Sequence, residues 1–237
     1  MGLEGGFLPM ELIAARLPSL TLYGDGSLIV APPENLADPT AAKPPLVKAT
    51  LSEDEVQAIL ETALTKGGLA IAREAYLDNA IMDAPTTVFE VHAGGLDKAV
   101  RIAALGIDPP QPGPDDLARR NFDELRIYLE SVAARAVDTG DDWTPEAFTG
   151  VLIQLEPGQQ PPSEPRAWPW KDIAPADFVT PPVAPDSMVV SFPEHALSPA
   201  HIAALGAAEA IGGIGGITLE GADGTRYSLV VRPQLPG

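Results

Sequence analysis

Apolar and polar positions along the chain predict the same order of elements twice: an apolar strand, a capped amphipathic helix, and a hairpin that turns on glycine. The first copy spans residues 28–105 and the second spans residues 188–231. A sheet covered on one face by helices is typical of α+β proteins. We therefore predict an α+β fold of mainly antiparallel sheet built from hairpins, with about three packed helices and two related strand–helix–hairpin halves.

The first copy contains the clearest helix. Ser52 and Glu55 have the spacing of a capping box, and Gly67-Gly68 marks the helix end. The spacing of apolar residues predicts one buried face, formed by Val56, Ile59, Leu60, Ala63 and Leu64. We expect this face to pack on Val88 and on Val100 or Ile102, and truncation of Leu60 to destabilise the fold.

Glycine and aspartate between short β-rich runs predict three hairpins. They lie at residues 20–30 around Gly24-Asp25-Gly26, at residues 86–104 around Gly94-Gly95, and at residues 217–232 around Gly221–Gly224.

The second copy begins with a predicted strand over residues 188–192. Ser198 then caps a helix whose first residue is Pro199, a position that proline favours. Ile202, Leu205 and Ile211 form its predicted buried side, and Gly212-Gly213 ends it. If the copies are related, Ser198 superimposes on Ser52, and the turn at 221–224 superimposes on Gly94-Gly95.

A longer helix is predicted between the copies, over residues 115–137. Its apolar face is formed by Ala118, Phe122, Leu125, Leu129, Val132 and Ala136. This face favours packing on the chain's own sheet, although a partner helix is the alternative. Arg126 and Glu130 have the spacing of an ion pair. A strand over 150–155 and a helical turn over 175–178 follow. We expect segments 1–110, 111–185 and 186–237 to form one compact unit.

Composition narrows the class of partner. Fifteen Lys and Arg against thirty-three Asp and Glu give a net charge of −18, which repels nucleic acid and anionic lipid. No apolar run reaches the roughly 18 residues of a membrane span. The chain has no cysteine, so disulfides and thiolate metal sites are excluded. Residues 1–8 are too short and too rich in glycine for a signal peptide.

The sequence predicts no catalytic, cofactor-binding or metal-binding residue. His195 and His201 lie six apart, which is not a zinc spacing on a helix, and His92 stands alone. The glycines of 212–216 follow a helix, whereas a phosphate-binding loop follows a strand. Asp78, Asn79 and Asp83 leave calcium as an alternative to a simple turn, and Asp141-Asp142 is the other acidic pair.

Trp168-Pro169-Trp170 is the most unusual local sequence. Tryptophans on a segment stiffened by proline can stack on sugars or anchor a protein partner. They can equally cover the edge of the chain's own core, and both interpretations stay open.

Three segments resemble uncharacterised bacterial proteins that are exported and often anchored as lipoproteins: LTLYGDGSLIV at 20–30, DAPTTVFEV at 83–91 and LVVRPQLP at 229–236. The resemblance implies an extracytoplasmic location and transfers no catalytic residue. The chain departs from that group because no export signal and no lipobox cysteine are found in it. Two alternatives follow: the sequence is a trimmed mature form, or the protein is cytoplasmic.

The function that we predict is a non-catalytic envelope or surface protein that binds another protein or a polysaccharide. The alternatives are a hydrolytic enzyme with dispersed active-site residues and a structural subunit of an assembly. Measurement of the oligomer mass tests the last of these.

Overall fold

The computed structural model describes residues 1–32, 45–77, 81, 83–107, 113–182, 190–206 and 216–236. Within these ranges the chain forms helices and three mostly antiparallel sheets, which confirms the predicted α+β class. The helices are α1 (Met10–Ala15), α2 (Glu53–Glu61), α3 (Asp116–Thr139) and α4 (Pro199–Ala204). A π-helical stretch, Thr62–Lys66, continues α2, and a 3₁₀ turn spans Pro175–Asp177.

The described strands form the three predicted hairpins and their neighbours. In chain order they are β1 (Gly2–Glu4), β2 (Leu20–Leu22), β3 (Ser27–Val30), β4 (Leu46–Thr50), β5 (Ala75–Tyr76), β6 (Thr86–Ala93), β7 (Leu96–Ala103), β8 (Asp141–Trp143), β9 (Phe148–Gln154), β10 (Arg166–Ala167), β11 (Glu194–Leu197), β12 (Ile217–Glu220) and β13 (Arg226–Pro233). Their order is β1-β6-β7-β5 in the first sheet, β2-β3-β4-β8 in the second and β10-β12-β13-β9-β11 in the third. The hairpins are β2–β3, β6–β7 and β12–β13.

Contacts within the chain divide it into two compact units. The described residues of the first unit fall within Met1–Phe7, Pro18–Pro33 and Pro44–Trp143, and those of the second fall within Leu8–Leu17 and Thr144–Gly237. The first unit holds the first two sheets with α2 and α3, and the second holds the third sheet with α1 and α4. This division differs from the predicted segments 1–110, 111–185 and 186–237, because α3 packs with the N-terminal hairpins and β9 pairs with β13.

The core of the first unit forms where α3 lies against both of its sheets. The buried side chains of α3 have the predicted spacing: Phe122, Leu125, Leu129, Val132 and Ala136. They share one cluster with side chains of β3, β6 and β7, among them Leu28, Phe89, Val100 and Ile102. The predicted ion pair also forms, with Arg126 Nη1 2.7 Å from Glu130 Oε1. The apolar face of α3 therefore packs on the chain's own sheets.

The predicted capping box begins α2. Ser52 Oγ accepts the backbone N–H of Glu55 at 3.4 Å, and the Glu55 carboxylate accepts the backbone N–H of Ser52 at 2.8 Å. The hydrogen bonds from Ser52 favour the ionised carboxylate and lower the pKa of Glu55. Gly67 ends the helical segment, as predicted.

The buried face of α2 differs from the prediction at two positions. Leu60 and Leu64 are only half-buried, whereas Ile59 and Ala63 are buried members of the core. Ile59 and Ala63 are four residues apart and lie on the same face of the helix, whereas Leu60 lies at the edge of that face. The π-helical stretch Thr62–Lys66 then adds a residue to the turn and moves Leu64 aside.

The expected sheet contacts are correct for one strand of the β6–β7 hairpin. Val100 and Ile102 belong to the core cluster, as predicted. On β6 it is Phe89 rather than Val88 that joins this cluster. Successive side chains of a strand point to opposite faces, so the neighbour of Phe89 is directed away from the helices.

The sheet of the second unit is buried on both faces. Leu229 and Val231 of β13 share a cluster with Ile202 of α4 on one face. Val230, which points the other way, packs with Ala14 of α1. Both helices are needed because the alternating side chains of the central strands are apolar on each side.

The acidic turn residues fix two of the hairpins. Asp25 Oδ1 accepts the N–H of Ser27 at 2.8 Å, and Asp223 Oδ1 accepts the N–H of Thr225 at 3.0 Å. These backbone hydrogen bonds lower the pKa of both carboxyl groups. The Asp-Gly signal in the sequence therefore corresponds to a local hydrogen bond in the turn.

The two segments taken as copies do not share a strand order. β4, which leads into α2, lies in the second sheet, whereas the hairpin that follows, β6–β7, lies in the first sheet. β11, which leads into α4, lies in the same sheet as its hairpin β12–β13. The predicted superposition of Ser52 on Ser198, and of Gly94-Gly95 on residues 221–224, fails this comparison. The segments share serine caps and glycine turns, which are local features.

Two further boundaries differ from the prediction. Residues 190–192 are described and form no strand; the strand is β11, which begins after Pro193, because proline has no N–H to donate to a ladder. α4 ends at Ala204, and Gly206 follows in the left-handed region with φ 61°. Ile211 and Gly212-Gly213 lie outside the described residues.

Candidate functional site

The Trp-Pro-Trp segment continues the edge of the third sheet. Trp168 donates its backbone N–H to Glu220 O at 3.0 Å, which extends the pairing of β10 with β12 by one residue. The two indole rings meet edge to face, with ring centres 5.4 Å apart. Pro169 between them restricts the backbone to an extended form. The two tryptophans are therefore held in a fixed arrangement.

Trp170 is a core residue. Its side chain is 6% exposed and lies in the cluster that includes Ile202 and Leu229. Its indole Nε1–H donates to the backbone carbonyl of His201 at 3.0 Å, which ties the segment to α4. The sequence left open whether this tryptophan stacks on a ligand or covers the core, and the structure assigns it to the core.

Trp168 stays partly exposed at the rim of the same core. Its indole Nε1–H donates to the carbonyl of Ile173 at 2.6 Å, which fixes the rotation of the ring. The rings of Phe178 and Tyr227 lie on other sides of it, each with a centre 6.1 Å away. Tyr227 is itself half-buried. The side chains of Trp168 and Tyr227 together present a rigid surface to solvent.

Strand register adds an arginine to this surface. Arg166 of β10 pairs with Leu219 of β12, and Leu219 pairs with Tyr227 of β13. Residues directly opposite each other project from the same face of a sheet, and so does Trp168, two residues after Arg166. Arg166 is exposed, and its Nη1 donates to Leu205 O at 3.4 Å. We call Trp168, Tyr227 and Arg166 the aromatic edge.

The three histidines are not brought together. His92 contacts Asp97 at 3.0 Å on an exposed hairpin, and His195 Nδ1 lies 3.1 Å from the carbonyl oxygen of Asp177. His201 lies in the cap of α4. Each imidazole therefore has its own local partner, and the His195–His201 pair forms no common site.

Ser198, His201 and Asp172 have the composition of a hydrolase triad but a different geometry. Ser198 Oγ accepts the backbone N–H of His201 at 3.3 Å, and His201 Nδ1 accepts the backbone N–H of Ser198 at 3.1 Å. His201 Nε2 lies 3.2 Å from Asp172 Oδ2, and this hydrogen bond lowers the pKa of the carboxyl group. A triad needs the serine hydroxyl on the imidazole. This arrangement instead caps a helix.

The acidic pairs give no metal centre in the part of the chain that the structure describes, where no group of three His, Cys, Asp or Glu is placed to hold an ion. Asp78 and Asn79 lie outside the described residues, as do 212–215 of the glycine-rich loop. Asp83 has φ 62° and accepts the N–H of Phe7 on its carbonyl at 3.2 Å, as a turn residue does. Asp141 and Asp142 lie on the short strand β8.

We expect exhaustive chelation to leave the thermal midpoint unchanged, because the described clusters are held by apolar packing. The measurement is thermal unfolding with and without a strong chelator, at constant pH and salt. A fall of several degrees that calcium reverses contradicts this expectation and assigns a site to the segment of Asp78 and Asp83.

The sequence pointed to Trp168 and missed the other two members of the aromatic edge. Arg166 and Tyr227 are 61 positions apart in the numbering, and they join Trp168 only through the pairing of β10, β12 and β13. No local pattern contains that pairing. At Ser198 the sequence predicted the serine cap, and the structure adds that His201 completes it.

Comparison of the chain with models of protein families, with curated proteins and with solved structures gave no match. The resemblance to exported bacterial proteins therefore stays a prediction. None of the helices in the described ranges has the length and apolar character to cross a bilayer.

Proposed function

We propose that this chain is a non-catalytic binding protein whose aromatic edge anchors another protein. The observation that carries the proposal is the placement of Trp168, Tyr227 and Arg166 on one sheet face, where the two aromatic rings are partly exposed and in contact and the arginine is exposed. Tryptophan, tyrosine and arginine are the residue types that contribute most of the binding energy in protein interfaces. A side chain that is already ordered loses little entropy when a partner binds.

The surroundings of Trp168 favour a protein over a sugar. Its ring lies in edge contacts with those of Trp170, Phe178 and Tyr227, at 5.4, 6.1 and 6.1 Å. Stacking on a sugar uses an open aromatic face, whereas a protein interface also uses ring edges and the adjoining guanidinium. The net charge of −18 further favours a neutral or cationic partner.

The proposed location is the bacterial envelope or the cell surface. Support comes from the resemblance carried by residues 20–30, 83–91 and 229–236. A non-catalytic binding protein is consistent with this location, because many envelope and surface proteins act by binding other proteins.

The test uses peptides selected from a random phage-displayed library on the wild-type protein. We expect Trp168→Ala to weaken the selected peptides by about 30-fold, which corresponds to roughly 2 kcal/mol for a residue of this kind. Arg166→Ala is the second variant, because its exposed side chain is removed without loss of core packing. Ile127→Ala, on an exposed position of α3, is the matched control and should bind normally.

Two results decide against a protein anchor. Selected peptides that bind Trp168→Ala and Arg166→Ala as tightly as the wild type place the recognition surface elsewhere. Co-sedimentation with insoluble chitin or cellulose that Trp168→Ala abolishes assigns a polysaccharide instead. Far-UV circular dichroism of each variant shows whether it is folded before binding is compared.

A further inference from the structure

The cap of α4 is a capping box with histidine in an unusual place. A capping box has Glu or Gln three residues after the serine, and its side chain accepts the N–H of the cap residue. In Ser198-Pro-Ala-His201 the acceptor is the imidazole Nδ1, 3.1 Å from the Ser198 nitrogen. The box at Ser52 is built in the usual way, with a Glu55 carboxylate oxygen at 2.8 Å. The two boxes differ in the chemistry of the accepting group.

The hydrogen bonds of His201 define which nitrogen carries the proton. Nδ1 accepts an N–H and therefore carries no hydrogen of its own, so the proton of the neutral ring lies on Nε2. His201 Nε2 lies 3.2 Å from Asp172 Oδ2, and this oxygen accepts the Nε2–H. The cap thus needs neutral imidazole in one tautomer.

A second proton on the ring opposes this cap in two ways. Nδ1–H and the Ser198 N–H become two donors that face each other, so their hydrogen bond is lost. A positive charge near the beginning of a helix is also unfavourable for the aligned peptide dipoles. Glu55 has neither problem, since the carboxylate remains an acceptor and its negative charge suits that helix end.

The charged groups around His201 do not cancel this effect. Asp172 attracts the imidazolium, but its side chain is 71% exposed and solvent screens the pair. Lys171 is exposed beside it, and Arg166 reaches the other end of α4 at Leu205 O. Asp172 is the one carboxylate in contact with the ring among the described residues.

We infer that His201 makes the cap of α4 an acid-sensitive latch, closed when the imidazole is neutral and released when it is protonated. Histidine is the side chain that changes its charge between about pH 5 and pH 8. The carbonyl of His201 also holds the indole of Trp170, at 3.0 Å. Release of the cap therefore loosens the contact between α4 and the aromatic core of the second unit.

The test follows two reporters by ¹H–¹⁵N NMR from about pH 8 to about pH 5. We expect the Ser198 amide and the Trp170 indole N–H to shift together in the wild type. His201→Gln should abolish both shifts, because glutamine completes a capping box and does not titrate. Acidification should also lower the thermal midpoint more in the wild type than in His201→Gln.

Controls separate the latch from other titrations. His195→Gln should keep both shifts, and the Ser52 amide should stay constant in every protein, since hydrogen bonds lower the pKa of Glu55. Unchanged Ser198 and Trp170 resonances in the wild type, or equal shifts in His201→Gln, overturn the inference.

Discussion

Phe122→Ala is expected to lower the free energy of unfolding by roughly 3–5 kcal/mol, the range for removing a buried phenylalanine ring. Phe122 is 2% exposed and lies in the core cluster of the first unit. Its ring centre is 4.9 Å from that of Tyr76 and 6.4 Å from that of Phe89. The neighbours come from β5 and β6, so the cavity cannot close by a small movement of one element. The measurement is denaturant unfolding followed by circular dichroism.

Ile127→Ala is the matched control, because Ile127 lies on the same helix and is 53% exposed. It tests helix propensity and general effects of truncation in α3 without opening a cavity. Equal destabilisation by both variants would show that the ring of Phe122 contributes no more than an exposed side chain. The described packing of α3 would then be wrong.

Gly140→Ala is expected to destabilise the protein by roughly 1–3 kcal/mol through overpacking. Gly140 follows α3, and a Cβ built on it lies 2.6 Å from Val47 Cγ1 and 2.7 Å from the carbonyl oxygens of Ala136 and Lys48. The two carbonyls belong to α3 and β4 and cannot rotate away as a side chain does. The helix end and the strand must therefore separate. Thermal unfolding of the variant measures the effect.

Gly24→Ala provides the comparison, because a Cβ there meets no atom within 4 Å and the residue does not lie in the left-handed region. We expect its stability to remain within about 0.5 kcal/mol of the wild type. A Gly140→Ala protein as stable as Gly24→Ala would mean that α3 and β4 have room between them.

Those parts of the fold that depend on neighbouring residues could be predicted from the sequence. The capping box at Ser52, the turn aspartates Asp25 and Asp223, and the long helix with its buried Phe122 all agree with the structure. In each case the stabilising contact or spacing spans only a few residues along the chain. Such patterns determine the type and position of an element.

Sheet membership could not be predicted, since it depends on distant pairing. The two copies were predicted to begin with strands at residues 28 and 188, whereas the strands that lead into α2 and α4 are β4 and β11, which lie in sheets of different order. Backbone hydrogen bonds between strands depend little on residue identity. A repeat was therefore predicted from local patterns, although the two segments differ in sheet topology. The partial exposure of Leu60 was not predicted for a related reason, because packing as well as periodicity determines which face of a helix is buried.

The candidate site shows the same limit. Trp168 was visible because tryptophan is rare and two occur around one proline. Its neighbours Arg166 and Tyr227 depend on the parallel pairing of β10 with β12, which covers two residues and leaves no periodic trace. The backbone acceptor of each indole N–H, Ile173 for Trp168 and His201 for Trp170, also could not be inferred from the sequence.

Helix α1 makes the second unit discontinuous in the chain. Ala14 packs with Val151 and Val230, and Arg232 donates to the Ala14 carbonyl across a sequence separation of 218 residues. Closing so long a loop costs configurational entropy before the contacts form, and a high contact order slows folding. During synthesis the packing partners of α1, β9 and β13, are made long after α1 itself. A fragment that begins at Thr144 would lack the helix that covers Val151 and Val230, and would expose that sheet face to aggregation.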